Sequence, residues 1–311
     1  MAKIDSIVRI SGGVLLNTPS IDSIEEIQIS SSKVKRGDLF IDLENSIEDL
    51  HLAVSNGAYA VLTSSIPEIF DEEIAWIRTN DLEKSLVKLA RFYAIDKNFR
   101  FIPLLNVHYA LAKSLHVESG VKLLSNTTSD ALVQILNSKN KTIFFVGENS
   151  FIENIDPSIK KLPIKINPDK LFENGLFYSS FIYKDMYIKE TRLSSFFIPY
   201  LCALMDYCDE LSIEYKIDNF LNLGHFEPQF VTSKLEKVDF GTTRKAVIFE
   251  ENMQLYNEEL KYLYERVERN LIETDIKYLI TKNFRYALIN GKKEDFDNLF
   301  IDKKTVQLEL F

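Results

Sequence analysis

The sequence is poor in the residues that most often anchor chemistry, with 2 cysteines, 4 histidines and 1 tryptophan among 311 residues. So few thiols exclude a disulfide framework. Cys202 and Cys208 lie in a segment of helical pattern, where six residues turn the chain by about 600° and leave the two side chains off a common face. They read as buried thiols in a reducing compartment. His108 and His116, in another helical segment, diverge by about 80° and have no carboxylate at ligand spacing, which argues against a metal pair. No Gly-x-Ser-x-Gly occurs, and neither cysteine has a context that would activate it as a nucleophile. No apolar run reaches membrane-spanning length, and MAKIDSIVRISGG lacks an apolar signal core. No membrane span or targeting segment is therefore expected, and a cytoplasmic location is the default.

Basic charge is also scarce, with Lys+Arg 37 against Asp+Glu 46 and a net charge of -9. A protein that grips a nucleic-acid backbone needs a basic face, so no nucleic-acid partner is expected. A small local anion site is compatible with that total. The 46% hydrophobic and 27% charged composition is that of a soluble globular chain. Its length allows two or three domains, and 22 phenylalanines predict a core of Phe, Ile and Leu.

The best-patterned stretch is Ile29–Leu62. It reads as a strand, a turn at Arg36-Gly37-Asp38, a strand Leu39–Leu43, a helix Ile47–Ser55, a glycine stop at Asn56-Gly57 and a strand Ala58–Leu62. Before it, Gly12-Gly13 between apolar runs suggests a hairpin. After it come a strand at Ala75–Arg78, a cap at Asn80-Asp81 and a helix with apolar residues at 82, 86, 89, 90 and 93.

Three segments of this region, KVKRGDLFIDL, HLAVSNGAYAVL and IRTNDLEKSLVKLARFYA, resemble the N-terminal domain of the Mur ligases of the MurE and MurF types. The matching positions are Val34, Gly37, Asp38, Leu39, Phe40, Gly57, Ala58, Ala60 and Val61. The resemblance implies an α/β fold of three segments. These are a Mur ligase N-terminal-like domain at 1–96, a reduced central α/β region at 97–192, and a helical segment with a small Rossmann-like domain at 193–311. It further implies ATP-dependent amide-ligase ancestry and a uridine nucleotide held in the first domain, on the side of Ser31, Ser32, Lys33 and Gly37.

Two departures bear on activity. Ser30-Ser31-Ser32-Lys33 stands where the family has Asp-Ser-Arg, and serine cannot supply a bidentate guanidinium. The family's G-x-x-G-x-G-K-T phosphate loop falls at a strand Arg100–Leu105 followed by a helix Val107–His116, which here are joined by Leu105-Asn106. Leu105, Asn106, Val107 and His108 hold no glycine to let the backbone wrap a phosphate and no lysine to meet its charge. A degenerate phosphate loop, no resident cofactor and no catalytic residue or metal site follow from that reading. ATP and Mg2+ belong only to the rival reading, an active UDP-N-acetylmuramoyl-peptide ligase with a non-standard phosphate site. The expected role is bacterial cell-wall biosynthesis by binding a UDP-muramyl-peptide precursor or a cell-wall synthesis protein. A purely structural or regulatory role is the third possibility.

Further along, Ser129–Leu136 reads as a helix and Thr142–Val146 as a strand ending in a turn at Gly147-Glu148-Asn149. From Leu193 a helix, a break at Ser212–Tyr215 and a second helix are expected. A strand Arg244–Phe249, a helix Leu255–Asn270 and a strand Ile276–Ile280 complete a β-α-β order, which implies parallel strands. Glu250-Glu251 reads as a solvated loop and Phe226–Phe230 as a rigid aromatic loop. The charges of Asn257–Glu273 read as an exposed face, and Asp239-Phe240-Gly241 as a turn.

Overall fold

The computed structural model describes residues 2–147, 152, 155, 164–217, 220, 223–267 and 270–296. The chain forms two compact units, residues 1–109 with 117–162 and residues 110–116 with 163–311. The segment 97–192 contributes to both.

In chain order the elements up to residue 146 are β1 (Ala2–Lys3), α1 (Ile4–Ser11), β2 (Val14–Leu15), β3 (Ser23–Ile24), β4 (Ile27–Gln28), β5 (Leu39–Ile41), α2 (Ile47–Ser55), β6 (Ala60–Thr63), β7 (Ala75–Arg78), α3 (Leu82–Asp96), β8 (Arg100–Pro103), α4 (Asn106–Ser114), β9 (Leu115–Val117), β10 (Val121–Leu123), α5 (Thr128–Leu136) and β11 (Ile143–Val146). The first unit carries a five-stranded sheet of order β2-β7-β6-β5-β4, parallel except for β2 at its edge. It also holds an all-parallel sheet of order β10-β11-β8. Every residue of β5 and β6 is buried, as befits parallel strands covered on both faces. The helices begin where side-chain caps allow: Ser46 Oγ accepts Asp49 N–H at 3.2 Å and Asp81 Oδ1 accepts Lys84 N–H at 3.0 Å. Leu86, Leu89 and Ala90 of α3 share one apolar core with Leu62, Ile77, Leu132 and Phe144. Asn137 ties α5 to β4, accepting Ile27 N–H at 2.9 Å and donating to Ile27 O at 2.8 Å. The two sheets of this unit are thus built on common packing.

The second unit contains β12 (Lys170–Glu173), β13 (Ser179–Tyr183), β14 (Met186–Thr191), α6 (Ile198–Glu210), β15 (Tyr215–Ile217), β16 (Glu227–Phe230), β17 (Ala246–Glu250), α7 (Met253–Arg266), β18 (Leu271–Glu273) and β19 (Tyr286–Asn290). β12, β13 and β14 form an antiparallel sheet, in a stretch to which the sequence pattern assigns no element. A four-stranded sheet runs β16-β17-β19-β18, with β17, β19 and β18 parallel and β16 an antiparallel edge. Among the described residues no helix is long and apolar enough to cross a membrane.

Several local expectations are corrected. Gly12 is not in a hairpin: it ends α1 in the left-handed region at φ +71°, and its N–H bonds to Val8 O. The apolar residues Ile4, Ile7, Val8 and Ile10 follow a helical period that a strand reading of so short a segment obscures. Residues Ser31–Lys33 form a 3-10 turn rather than part of a strand. The fourth helix stops at Ser114, so His116 belongs to β9. Residues 215–217 begin with a strand, where a second helix is expected. The segment Ile276–Thr281 is a 3-10 helix, and the parallel strands lie at 271–273 and 286–290 instead. An apolar run of that length does not by its pattern separate strand from helix. Glu227–Phe230 is an edge strand, not a loop. Asp239-Phe240-Gly241 does turn, with Gly241 at φ +77°. Cys202 and Cys208 are both buried free thiols.

Candidate functional site

The carboxyl ends of β8, β10 and β11 lie side by side, Val146 pairing with Pro103 and Leu123 with Phe145. Open parallel sheets bind ligands at such ends. Only Leu104 and Leu105 separate β8 from α4. Leu104 is buried and donates its N–H to Val146 O at 2.7 Å, which extends the strand pairing into the junction. Leu105 is exposed, Asn106 starts the helix, and Val107 and His108 are buried. The Tyr109 hydroxyl donates to Leu124 O at 2.5 Å, and burial pushes its phenol above the ordinary value. Gly147 follows β11. A Cβ there would sit 2.8 Å from Asn126 Oδ1 and 3.4 Å from the Tyr109 ring. The space beside Gly147, at the end of β11, is therefore taken up by Tyr109 and Asn126. Leu105, Asn106, Val107 and His108 bring neither glycine nor cation to it. Glu148 and Asn149, the rest of the expected turn, lie outside the described residues.

Ser31, Ser32 and Lys33 come together in the 3-10 turn, and Gly37 lies in the turn before β5. The Ser31 hydroxyl is buried and donates to Asp49, while Asn56 Nδ2 donates to Ser31 O at 3.0 Å. Ser32 and Lys33 are exposed, and the Ser32 and Ser30 hydroxyls pair at 3.0 Å. Gly37, at φ +102°, donates to Gly57 O at 3.0 Å and accepts Glu25 N–H at 2.8 Å. The structure places these four residues in a turn whose polar atoms are largely committed to the protein, with Ser32 and Lys33 facing outward.

A second cluster sits at the carboxyl end of β17. Glu250 is buried, which overturns its reading as part of a solvated loop; Glu251 is exposed and pairs with Lys292 at 3.3 Å. Glu250 accepts the N–H of Asn252 at 2.7 Å and of Phe226 at 3.3 Å. His225 Nδ1 lies 3.0 and 3.1 Å from its two oxygens. A carboxylate only accepts, so Nδ1 carries the proton and Nε2 is the remaining ring nitrogen. Glu259 of α7 is also buried, with no hydrogen-bond donor to either oxygen among the described residues. Burial first, and the charge of Glu250 second, hold its carboxyl well above the ordinary range. Glu259 is thus held toward its protonated form. Chemically the cluster can hold a proton beside a histidine at a sheet's carboxyl end. Sequence reasoning placed Glu259 on an exposed face, yet Leu255, Tyr256, Tyr262 and Leu263 bracket it at helical spacing and mark the buried side. Among the described residues no group of three His, Cys, Asp or Glu is arranged to hold a metal.

These features describe a mixed α/β protein, and its fold is Mur ligase-like. MurF from Thermotoga maritima, solved in complex with ADP, aligns with TM-score 0.55 and 12% identity over 89% of this chain and 97% of its own. The UDP-N-acetylmuramoylalanyl-D-glutamyl-2,6-diaminopimelate–D-alanyl-D-alanyl ligase from Acinetobacter baumannii aligns with TM-score 0.54 and 10% identity over 97% and 98% of the two chains. Another structure of MurF from Acinetobacter baumannii gives TM-score 0.53 and 10% identity, covering 88% of this chain and 79% of that one. No protein-family model and no curated protein matches the sequence.

Proposed function

We propose that this chain is a Mur ligase-like protein of peptidoglycan biosynthesis that works without ATP-dependent ligation, binding a UDP-muramyl-peptide precursor or a partner of the wall-building machinery in the cytoplasm. In this reading the segments 1–96, 97–192 and 193–311 are the precursor-binding, reduced central and C-terminal parts. The observation that carries it is the junction between β8 and α4. Leu104 and Leu105 alone join strand to helix there, and Leu104 is fastened to Val146 at 2.7 Å. A nucleotide triphosphate needs backbone N–H groups and a cation around its phosphates. The helix start at Asn106 has no lysine within its first turn, and Lys113 falls in the last turn. The likeness in fold to MurF structures supports the pathway assignment.

A scaffold without any small-molecule ligand is the second reading, favoured by the commitment of the Ser31 hydroxyl to Asp49. One pair of titrations separates the three cases. Calorimetry with Mg-ATP is expected to give no binding; micromolar affinity would restore the active-ligase reading. A UDP-muramyl peptide at millimolar concentration is expected to raise the melting temperature, because a ligand of the native state stabilises by RT ln(1 + [L]/Kd). An unchanged melting temperature would leave the scaffold reading.

A further inference from the structure

Two cavities of the second unit, about 60 Å³ and about 360 Å³, share Arg192, Pro228, Phe240 and Lys293 as lining. His225 borders the smaller one. The Arg192 guanidinium lies 3.5 Å from the centre of the Phe240 ring, which is itself held edge-on by Phe177, Tyr178 and Phe230. Stacking of this kind fixes the plane of the fork while leaving its edge N–H groups available. Arg192 and Lys293 are both half-buried, and neither forms an ion pair with a carboxylate among the described residues. Partly desolvated cations without a counter-charge are costly, and an anion at that place would offset the cost.

Among the described residues the carboxylates around the space form no ion pair with either cation, and Lys237 is a third cation lining the larger cavity. Glu227 Oε1 accepts Gly224 N–H at 3.0 Å, Glu250 is taken up by His225 Nδ1 and two backbone N–H groups, and Asp239 borders the larger cavity alone. His225 is therefore left with Nε2 for the cavity. Charge restricts the occupant's head: two cations, one of them a planar fork, select a group that presents oxygens, such as a carboxylate or a phosphate. The larger cavity leaves room for whatever carries it.

We propose that Arg192 and Lys293, with His225 at the edge, form a binding site for a small oxyanion, a carboxylate or phosphate end group. The site is independent of the β8–α4 junction and of the reading built on it. The test is an NMR titration of the full chain that follows the His225 ring signals, with inorganic phosphate in one arm and acetate in the other, at constant ionic strength set by chloride. A saturable shift in either arm is expected, and the arm that responds names the source of the oxyanion. Arg192→Gln and Lys293→Gln should each weaken it about tenfold, whereas Lys282→Gln, on an exposed residue, should not. Arg192→Lys, which keeps the charge but not the fork, guards against a folding defect and should fall between. No shift in either arm, or binding as tight in both Gln variants as in the parent, would overturn the site.

Discussion

Glu259 on α7 and Glu250 at the end of β17 are both buried, and the charge of Glu250 adds to burial in raising the Glu259 carboxyl well above its ordinary range. Its folded pKa is raised, so the folded chain keeps a proton that the unfolded chain releases near the ordinary value of 4.5. The stability this contributes is fully present below that unfolded value and is lost as pH rises through the folded one. The urea midpoint of the native protein is expected to fall as pH rises above the carboxyl range. Glu259→Gln has the same shape and cannot ionise, so its midpoint should fall less steeply. Parallel slopes for the two proteins would refute the raised Glu259 carboxyl. Glu259→Ala, which empties the site, should cost about 1–3 kcal/mol at mildly acidic pH.

Tyr109 offers a different kind of test, because its hydroxyl satisfies the Leu124 carbonyl at 2.5 Å. Tyr109→Phe leaves that oxygen without its donor in a part of the fold closed to bulk water. A loss of about 1–3 kcal/mol in chemical denaturation is expected. A variant as stable as the parent would show that the strand ends are open to solvent.

What was legible beforehand follows from physics that acts locally. The helix at 47–55 has a glycine stop, and α3 has an aspartate cap and one apolar stripe; both appear where their sequence places them. The strands at 75–78 and 143–146 are compact apolar runs between polar turns. The failures are places where tertiary contacts decide. Ile276–Thr281 is apolar enough for a strand, but the ladder positions beside β19 are taken by 271–273. Glu250 looks solvated because nothing in the sequence reveals that His225, twenty-five residues away, closes over it. The absence of glycine and lysine at Leu105–His108 could be read directly, whereas the crowding of Gly147 by Tyr109 and Asn126 could not.

Gly57 ties the opening turn of β5 to the end of α2. Its φ is +99°, its carbonyl accepts Gly37 N–H at 3.0 Å, and an added Cβ would meet the Arg36 Cα at 3.0 Å. Backbone, unlike a flexible side-chain end, cannot swing aside. Gly57→Ala should therefore lose roughly 1–3 kcal/mol through the unfavourable dihedral alone, and more if the turn at Arg36 shifts. Retention of full stability in thermal and urea melts would show that this turn relaxes freely.

Cys202 and Cys208 are the only thiols of the chain and both face the interior of the second unit. Burial pushes each thiol up to about 12, with Asp169 adding to the rise at Cys202 and Asp209 at Cys208. Alkylation and disulfide exchange need the thiolate and access to it. In the native protein at mildly alkaline pH both cysteines should be silent to an aromatic disulfide reagent over hours. In denaturant, where the thiols recover their ordinary values, 2 equivalents should react at once. The native rate then measures opening of α6, since a buried thiol reacts only through that excursion. A Glu259→Ala protein, destabilised within the same unit, should react faster than the parent if α6 and α7 open together. Equal rates would mean that the helix carrying the thiols opens independently of the buried carboxyl pair.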